Sequence, residues 1–131
     1  MKRKPTPSSS TFEIPGLDGR ALRFLADDPS LRTIIGLYHW HWLHHGGTRR
    51  GFRYAPPSIG RRTYDKIRCG LLSMGYPDLD DDMFRCRNSC IRCCPMSVIW
   101  NLLDRWQEAL PFERDELRRH VIACECGGHQ P

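Results

Sequence analysis

A chain of 131 residues can fill one modest hydrophobic core but not two, and 40% hydrophobic with 27% charged residues sets it among globular proteins. Its 20 Lys and Arg outnumber 15 Asp and Glu, and the basic residues are mostly arginine, 17 against 3 Lys, whose planar fork suits phosphate. No run approaches the roughly 20 apolar residues of a bilayer span, and Met1–Pro5 leads into Ser and Pro instead of an apolar stretch, so neither membrane insertion nor secretion is expected.

In the reducing compartment this implies, the seven cysteines read as thiols or metal ligands and not as a disulfide framework. Residues 1–11, MKRKPTPSSST, lack the apolar surface to offset chain entropy and read as a disordered basic, Ser-rich tail, with Lys2-Arg3-Lys4 a candidate nuclear address. The remainder, 12–131, reads as one compact domain. From Tyr38 the sequence alternates, Tyr38, Trp40 and Trp42 against His39 and His41; a turn-like His44-His45-Gly46-Gly47 follows, and Thr48–Tyr54 alternates again. This predicts a β-hairpin. The competing pattern is a helix beginning at Asp28-Pro29-Ser30, with Leu31, Ile34, Ile35, Tyr38 and Trp42 on one face and Gly46 as its stop.

Past Ala55-Pro56-Pro57, Thr63 can cap a helix carrying Tyr64, Ile67, Leu71 and Met74 and ending near Gly75. An acidic run, Asp78–Asp82, separates it from a helix opened by Pro95, with Val98, Ile99, Leu102, Leu103, Trp106 and Leu110 at helical spacing and Pro111 as its close. A last short helix spans about 114–124. The expected fold is therefore α+β: a small zinc-stabilised domain with a hairpin in its N-terminal half and helices in its C-terminal half.

Six of the seven cysteines fall in two groups, Cys86, Cys90, Cys93 and Cys94, then Cys124 and Cys126. Cys90-x-x-Cys93 lets two thiolates of one turn share an ion, and His120 and Cys124 stand one helical turn apart. Cys90, Cys93, His120 and Cys124 would complete a tetrahedral structural zinc site, with Cys86, Cys94, Cys126, His129 and the histidines His41, His44 and His45 as alternatives. A closed four-ligand site leaves no position for catalytic water, which favours a role other than enzyme. Cys86 and Arg92 also have the C-x5-R spacing of cysteine phosphatases, but the residues between them include no Gly to let backbone amides curl around phosphate.

Between Tyr38 and Arg68 seven basic residues face the single Asp65. Arg49, Arg50, Arg53, Arg61, Arg62 and Arg68 interleaved with Tyr38, Trp40, Trp42, Phe52 and Tyr54 offer phosphate contacts beside rings on which bases stack. Nucleic acid is the expected ligand. In the alternative, a protein–protein adaptor, the tryptophans anchor an interface and the charge only speeds encounter.

Gly36-Leu37-Tyr38-His39-Trp40-His41, leading to Gly47-Thr48 and Phe52, together with Met83-Phe84 and Arg87-Asn88-Ser89-Cys90-Ile91-Arg92-Cys93, resembles the central and cysteine motifs of the small accessory nonstructural nuclear phosphoprotein of bocaparvoviruses and related parvoviruses. The likeness covers 36–93. The long Arg/Ser-rich N-terminal region of that family has no counterpart here beyond Lys2-Arg3-Lys4 and Ser8–Ser10. It implies a host-nuclear viral regulator that supports viral DNA replication and controls splicing and polyadenylation of viral pre-mRNA, with RNA or host RNA-processing proteins as partners. A shorter pattern, His120-x3-Cys124-x-Cys126, resembles part of the motif of gyrovirus and anellovirus accessory phosphatases, with Phe112 where that motif has Trp.

Overall fold

The computed structural model describes residues 4–45, 59–84, 86 and 94–129, with the side chains of His44 and His45 left aside. Among the described residues five α-helices carry the fold: α1 (Gly19–Asp27), α2 (Ile34–His45), α3 (Arg61–Ser73), α4 (Met96–Trp106) and α5 (Pro111–Ile122). Short 3-10 turns at Thr11–Glu13, Pro29–Arg32 and Asp82–Phe84 connect or precede them. Among the described residues there is no strand or sheet, only an isolated bridge between Ser10 and Thr33.

The expected α+β fold is thereby corrected to a helical one. Residues 38–42, the proposed first hairpin strand, lie inside α2; the proposed second strand, Thr48–Tyr54, lies outside the described residues. The competing helical stripe is the one that folds, with a 3-10 turn over Pro29–Arg32 before the α-helix proper. The alternation misled because it counted His41 as a polar position. That imidazole is 1% exposed, and its Nε2 donates to the Leu79 carbonyl at 2.8 Å, so it takes its place in the core with that nitrogen paired. With His41 inside, the buried set Ile34, Ile35, Leu37, Tyr38, His41 and Trp42 has helical spacing.

The start of α2 is held by the N-terminal segment. Ile34 and Ile35 amides donate to the carbonyls of Ser9 and Pro7 at 2.9 and 2.8 Å, and the Gly36 amide donates to Thr33 Oγ1 at 3.1 Å. First-turn amides have no acceptor within their own helix, so these carbonyls serve as the cap. Thr11, fully buried, donates to the Leu31 carbonyl at 2.7 Å. Residues 4–11 thus take part in the fold instead of forming a detached tail. At Gly36 the chain passes so close to the preceding turn that a Cβ would sit 1.9 Å from the Ser30 carbonyl oxygen.

Helix α3 begins at Arg61, two residues ahead of the expected cap at Thr63, with Gly60 as its N-cap and no side-chain cap bond. The apolar stripe of α4 forms as expected over Ile99, Leu102, Leu103 and Trp106, but Leu110 is exposed and Pro111 opens α5 instead of closing α4. All five helices contribute to one hydrophobic core, with Tyr38, Trp42, Tyr64, Tyr76, Phe84 and Trp106 among its buried rings.

Between α3 and α4, residues 77–81 are gripped from two sides. The carbonyls of Pro77 and Leu79 accept from Tyr38 and His41 of α2. The carboxylates of this loop face donors on α3 and α5: Arg68 forks onto Asp78 with two bonds of 2.8 Å and also reaches Asp65 at 2.8 Å, Tyr64 donates to Asp80 at 2.6 Å, and Arg118 donates to Asp81 at 2.8 Å. This loop fixes the path that leads through Met83 and Phe84 into Cys86.

Candidate metal centre

Cys86 is completely buried just past the Asp82–Phe84 turn, and the chain returns to it from α5 some 40 residues later through Cys126. Beyond α5, Gly127 adopts φ +71, a left-handed conformation open to glycine at little cost, and the reversal brings His129 to the same point as Cys126. One ligand atom each from Cys86, Cys126 and His129 lie within 4.8 Å of one another, a group that can hold a metal ion.

The distances suit a tetrahedral ion. Two thiolates bound at about 2.3 Å and a tetrahedral angle put their sulfurs about 3.8 Å apart; the Sγ atoms of Cys86 and Cys126 are 3.7 Å apart, well beyond a disulfide bond. The Gly128 amide donates to Cys126 Sγ at 3.3 Å, a hydrogen bond that orients a ligating sulfur and offsets its negative charge. Behind the group, the His129 ring meets Trp42 edge-on at 6.4 Å between centroids, Trp42 meets Phe84 at 5.3 Å, and both His129 nitrogens are shielded from solvent. Helix α2 therefore forms the wall against which the imidazole is set.

This group differs from the primary ligand set read from the sequence. Cys90 and Cys93 lie outside the described residues, as does Arg92. His120 is exposed on α5 beside Glu113, Glu116 and Arg105, and is not part of the group. Cys124 is half-buried and Cys94 fully buried, neither among the three. Cys86, Cys126 and His129 are all residues that the sequence reading held as alternatives, whereas His41 is occupied at the Leu79 carbonyl. The signal for His129 was the spacing Cys126-Gly127-Gly128-His129, two ligand types around a turn that only glycine makes easily.

The residues expected to bind nucleic acid divide into three sets. Tyr38 and Trp42 are 0% exposed, so neither ring is open to a base, whereas Trp40 is half-buried with its ring edge-on to Phe24 at 5.5 Å. Arg49, Arg50, Phe52, Arg53 and Tyr54 lie outside the described residues. Arg61 and Arg62 are exposed on the first turn of α3, Arg61 within 3.4 Å of Asp65 and 3.7 Å of Asp80. Arg68 is committed to Asp78, Asp65 and Asp80, which makes it a clamp between α3 and the acidic loop.

Burial, and then the hydrogen bond to Asp80, push the Tyr64 hydroxyl well above its ordinary pKa, and burial does the same for Tyr38, so both remain donors throughout the physiological range. No described helix is long and apolar enough to cross a membrane. Comparison of the chain with protein-family models, curated proteins and solved structures gives no match.

Proposed function

We propose that this chain is a non-enzymatic regulatory protein that works by occupancy, with a structural zinc at Cys86, Cys126 and His129 fixing its C-terminal end to the helical core. The observation that carries the zinc assignment is the 3.7 Å separation of the two sulfurs, with an imidazole in the same shell. Thiolate and imidazole together favour zinc over the harder divalent cations. A closed structural site takes a fourth ligand, for which Cys94, Cys124 and the undescribed Cys90 and Cys93 are the candidates in the sequence. Full burial of Cys86 beside a second thiol suits a ligand better than an accessible phosphatase nucleophile.

The arginine excess supports nucleic acid as the ligand, RNA before DNA, with RNA-processing proteins as further partners. The parvoviral resemblance supplies the setting of this reading: a viral nonstructural protein in the host nucleus, engaged in pre-mRNA processing and DNA replication. With Tyr38 and Trp42 inside the core, binding rests on charge more than on base stacking.

The test is elemental mass spectrometry of purified, tag-free protein beside a Cys86→Ser/Cys126→Ser variant. About one zinc per chain is expected, lost in the variant; a cooperatively folded wild-type protein without metal would falsify the assignment. Titration with single-stranded RNA across a salt series tests the ligand, with affinity expected to fall steeply as salt rises. Absence of binding at low salt would favour the adaptor reading, which draws support from the exposed Trp100, Leu110 and Phe112 on α4 and at the start of α5.

A further inference from the structure

A cleft of about 330 Å³ runs between α1 and the first turn of α3. Its α1 wall carries Arg20 and Arg23, one turn apart on an exposed face, and Phe24 and Ile59 supply apolar lining. Neither arginine is ion-paired among the described residues; Arg23 uses one N–H on the Gly19 carbonyl at 3.4 Å, and the rest of both forks remains available. The volume falls at the lower end of ligand-sized pockets.

The opposite wall is the N-terminus of α3. Gly60 provides no capping side chain, the first turn contains no acidic residue, and Arg61 and Arg62 occupy its first two positions. Capping oxygens and carboxylates normally neutralise this end of a helix, so its amides and partial positive charge are left for an external acceptor. Independently of the helix end, Thr63 lines the cleft while only 4% exposed, and no described residue hydrogen-bonds its hydroxyl. With no partner among the described residues, that hydroxyl is left for a group entering the cleft. The one carboxylate in the lining is Asp27, a turn beyond Arg23.

The geometry points to this cleft as a phosphate site: two arginine forks on α1, the uncapped amides of α3 and the Thr63 hydroxyl converge on one phosphoryl group of a nucleic-acid backbone. The source of the phosphate rests on the binding reading above, while the chemistry of the site rests on the cleft alone. A phosphodiester contacted from α1 and α3 would continue naturally past the exposed Arg62.

The test uses the full-length, zinc-loaded chain and two probes, inorganic phosphate and a short single-stranded RNA, followed through the Thr63 amide and the Arg20 and Arg23 Nε–H resonances. Both probes should shift these signals. Arg20→Glu/Arg23→Glu should weaken RNA binding at least about tenfold and lower the salt slope, while Asp27→Asn tightens it. All three positions are exposed, and unchanged zinc content and helicity in the variants confirm that the fold is kept. If phosphate shifts the cleft but RNA does not bind, the site stands with a small phosphorylated compound as its ligand, and the nucleic-acid reading fails. RNA bound with unaltered affinity by the double variant, or no shift of the cleft signals with either probe, would overturn the assignment.

Discussion

Two clusters tie the C-terminal half of the molecule to its helices, and they close in opposite ways. In the acidic loop, Asp78, Asp80 and Asp81 meet Arg68, Tyr64 and Arg118, so donors and acceptors both come from the chain. In the other cluster Cys86, Cys126 and His129 bring electron-pair donors together in a group that can hold a metal ion. The first clamp is as strong as the pH allows. On the proposed assignment, the second is as strong as the metal supply allows.

Removing the metal should therefore separate the two most sharply. Structural zinc contributes on the order of 10 kcal/mol in small zinc-finger peptides, comparable with the ~5–15 kcal/mol that holds a whole domain folded. Thermal unfolding followed by circular dichroism is expected to lose most of its cooperativity when a strong chelator is added, and to regain it when zinc is returned. A transition unmoved by chelator would make the thiol cluster energetically idle.

Breaking the acidic clamp should cost less and leave the metal alone. Arg68→Met strips Asp78, Asp65 and Asp80 of their shared cation, at a cost of about 3 kcal/mol for a partly buried network. Urea unfolding should show that loss while elemental analysis still finds the same zinc content. A smaller effect, about 2 kcal/mol, is expected of Gly70→Ala, whose new methyl would lie 2.3 Å from Ile14 Cγ2 and 2.6 Å from the Pro15 carbonyl oxygen. Because that contact belongs to neither cluster, its cost should be the same with and without Arg68.

The smallest effect is in the pH dependence. Burial works to raise the Asp78 carboxyl, but the Arg68 fork, the Asp80 amide and the charge of Arg68 together outweigh it and hold the group below its ordinary 3.8. An acid depressed in the folded state stabilises fully above its unfolded pKa and loses that contribution as pH falls through the folded one, so this loss falls below pH 3.8. Asp78→Asn should flatten the stability curve in that acid window; a variant as acid-sensitive as the wild type would move the effect to other carboxylates.

Legibility in the sequence follows how local each feature is. The stripes of α3 and α4 and the existence of α5 could be read because one face of each helix meets the core at regular spacing. Helix α2 was misread because its buried surface includes a histidine whose partner, the Leu79 carbonyl, lies 38 residues away. The same limit governs the metal centre. Spacing finds ligand pairs within a turn, such as Cys90 with Cys93, but Cys86 and Cys126 meet only because the acidic loop and α5 route the chain back across 40 residues. The buried fates of Tyr38 and Trp42 were hidden for a related reason: aromatic rings beside arginines look alike whether they face a ligand or the core.

The most direct test of the metal centre compares two histidines. Zinc content and zinc affinity should be measured for His129→Ala and His120→Ala, both in the full chain. The proposed zinc assignment predicts that His120→Ala retains about one zinc per chain with wild-type affinity, whereas His129→Ala loses the metal or binds it at least about tenfold more weakly. Zinc retained in His129→Ala and lost in His120→Ala would contradict the assignment and restore the ligand set centred on Cys90, Cys93, His120 and Cys124.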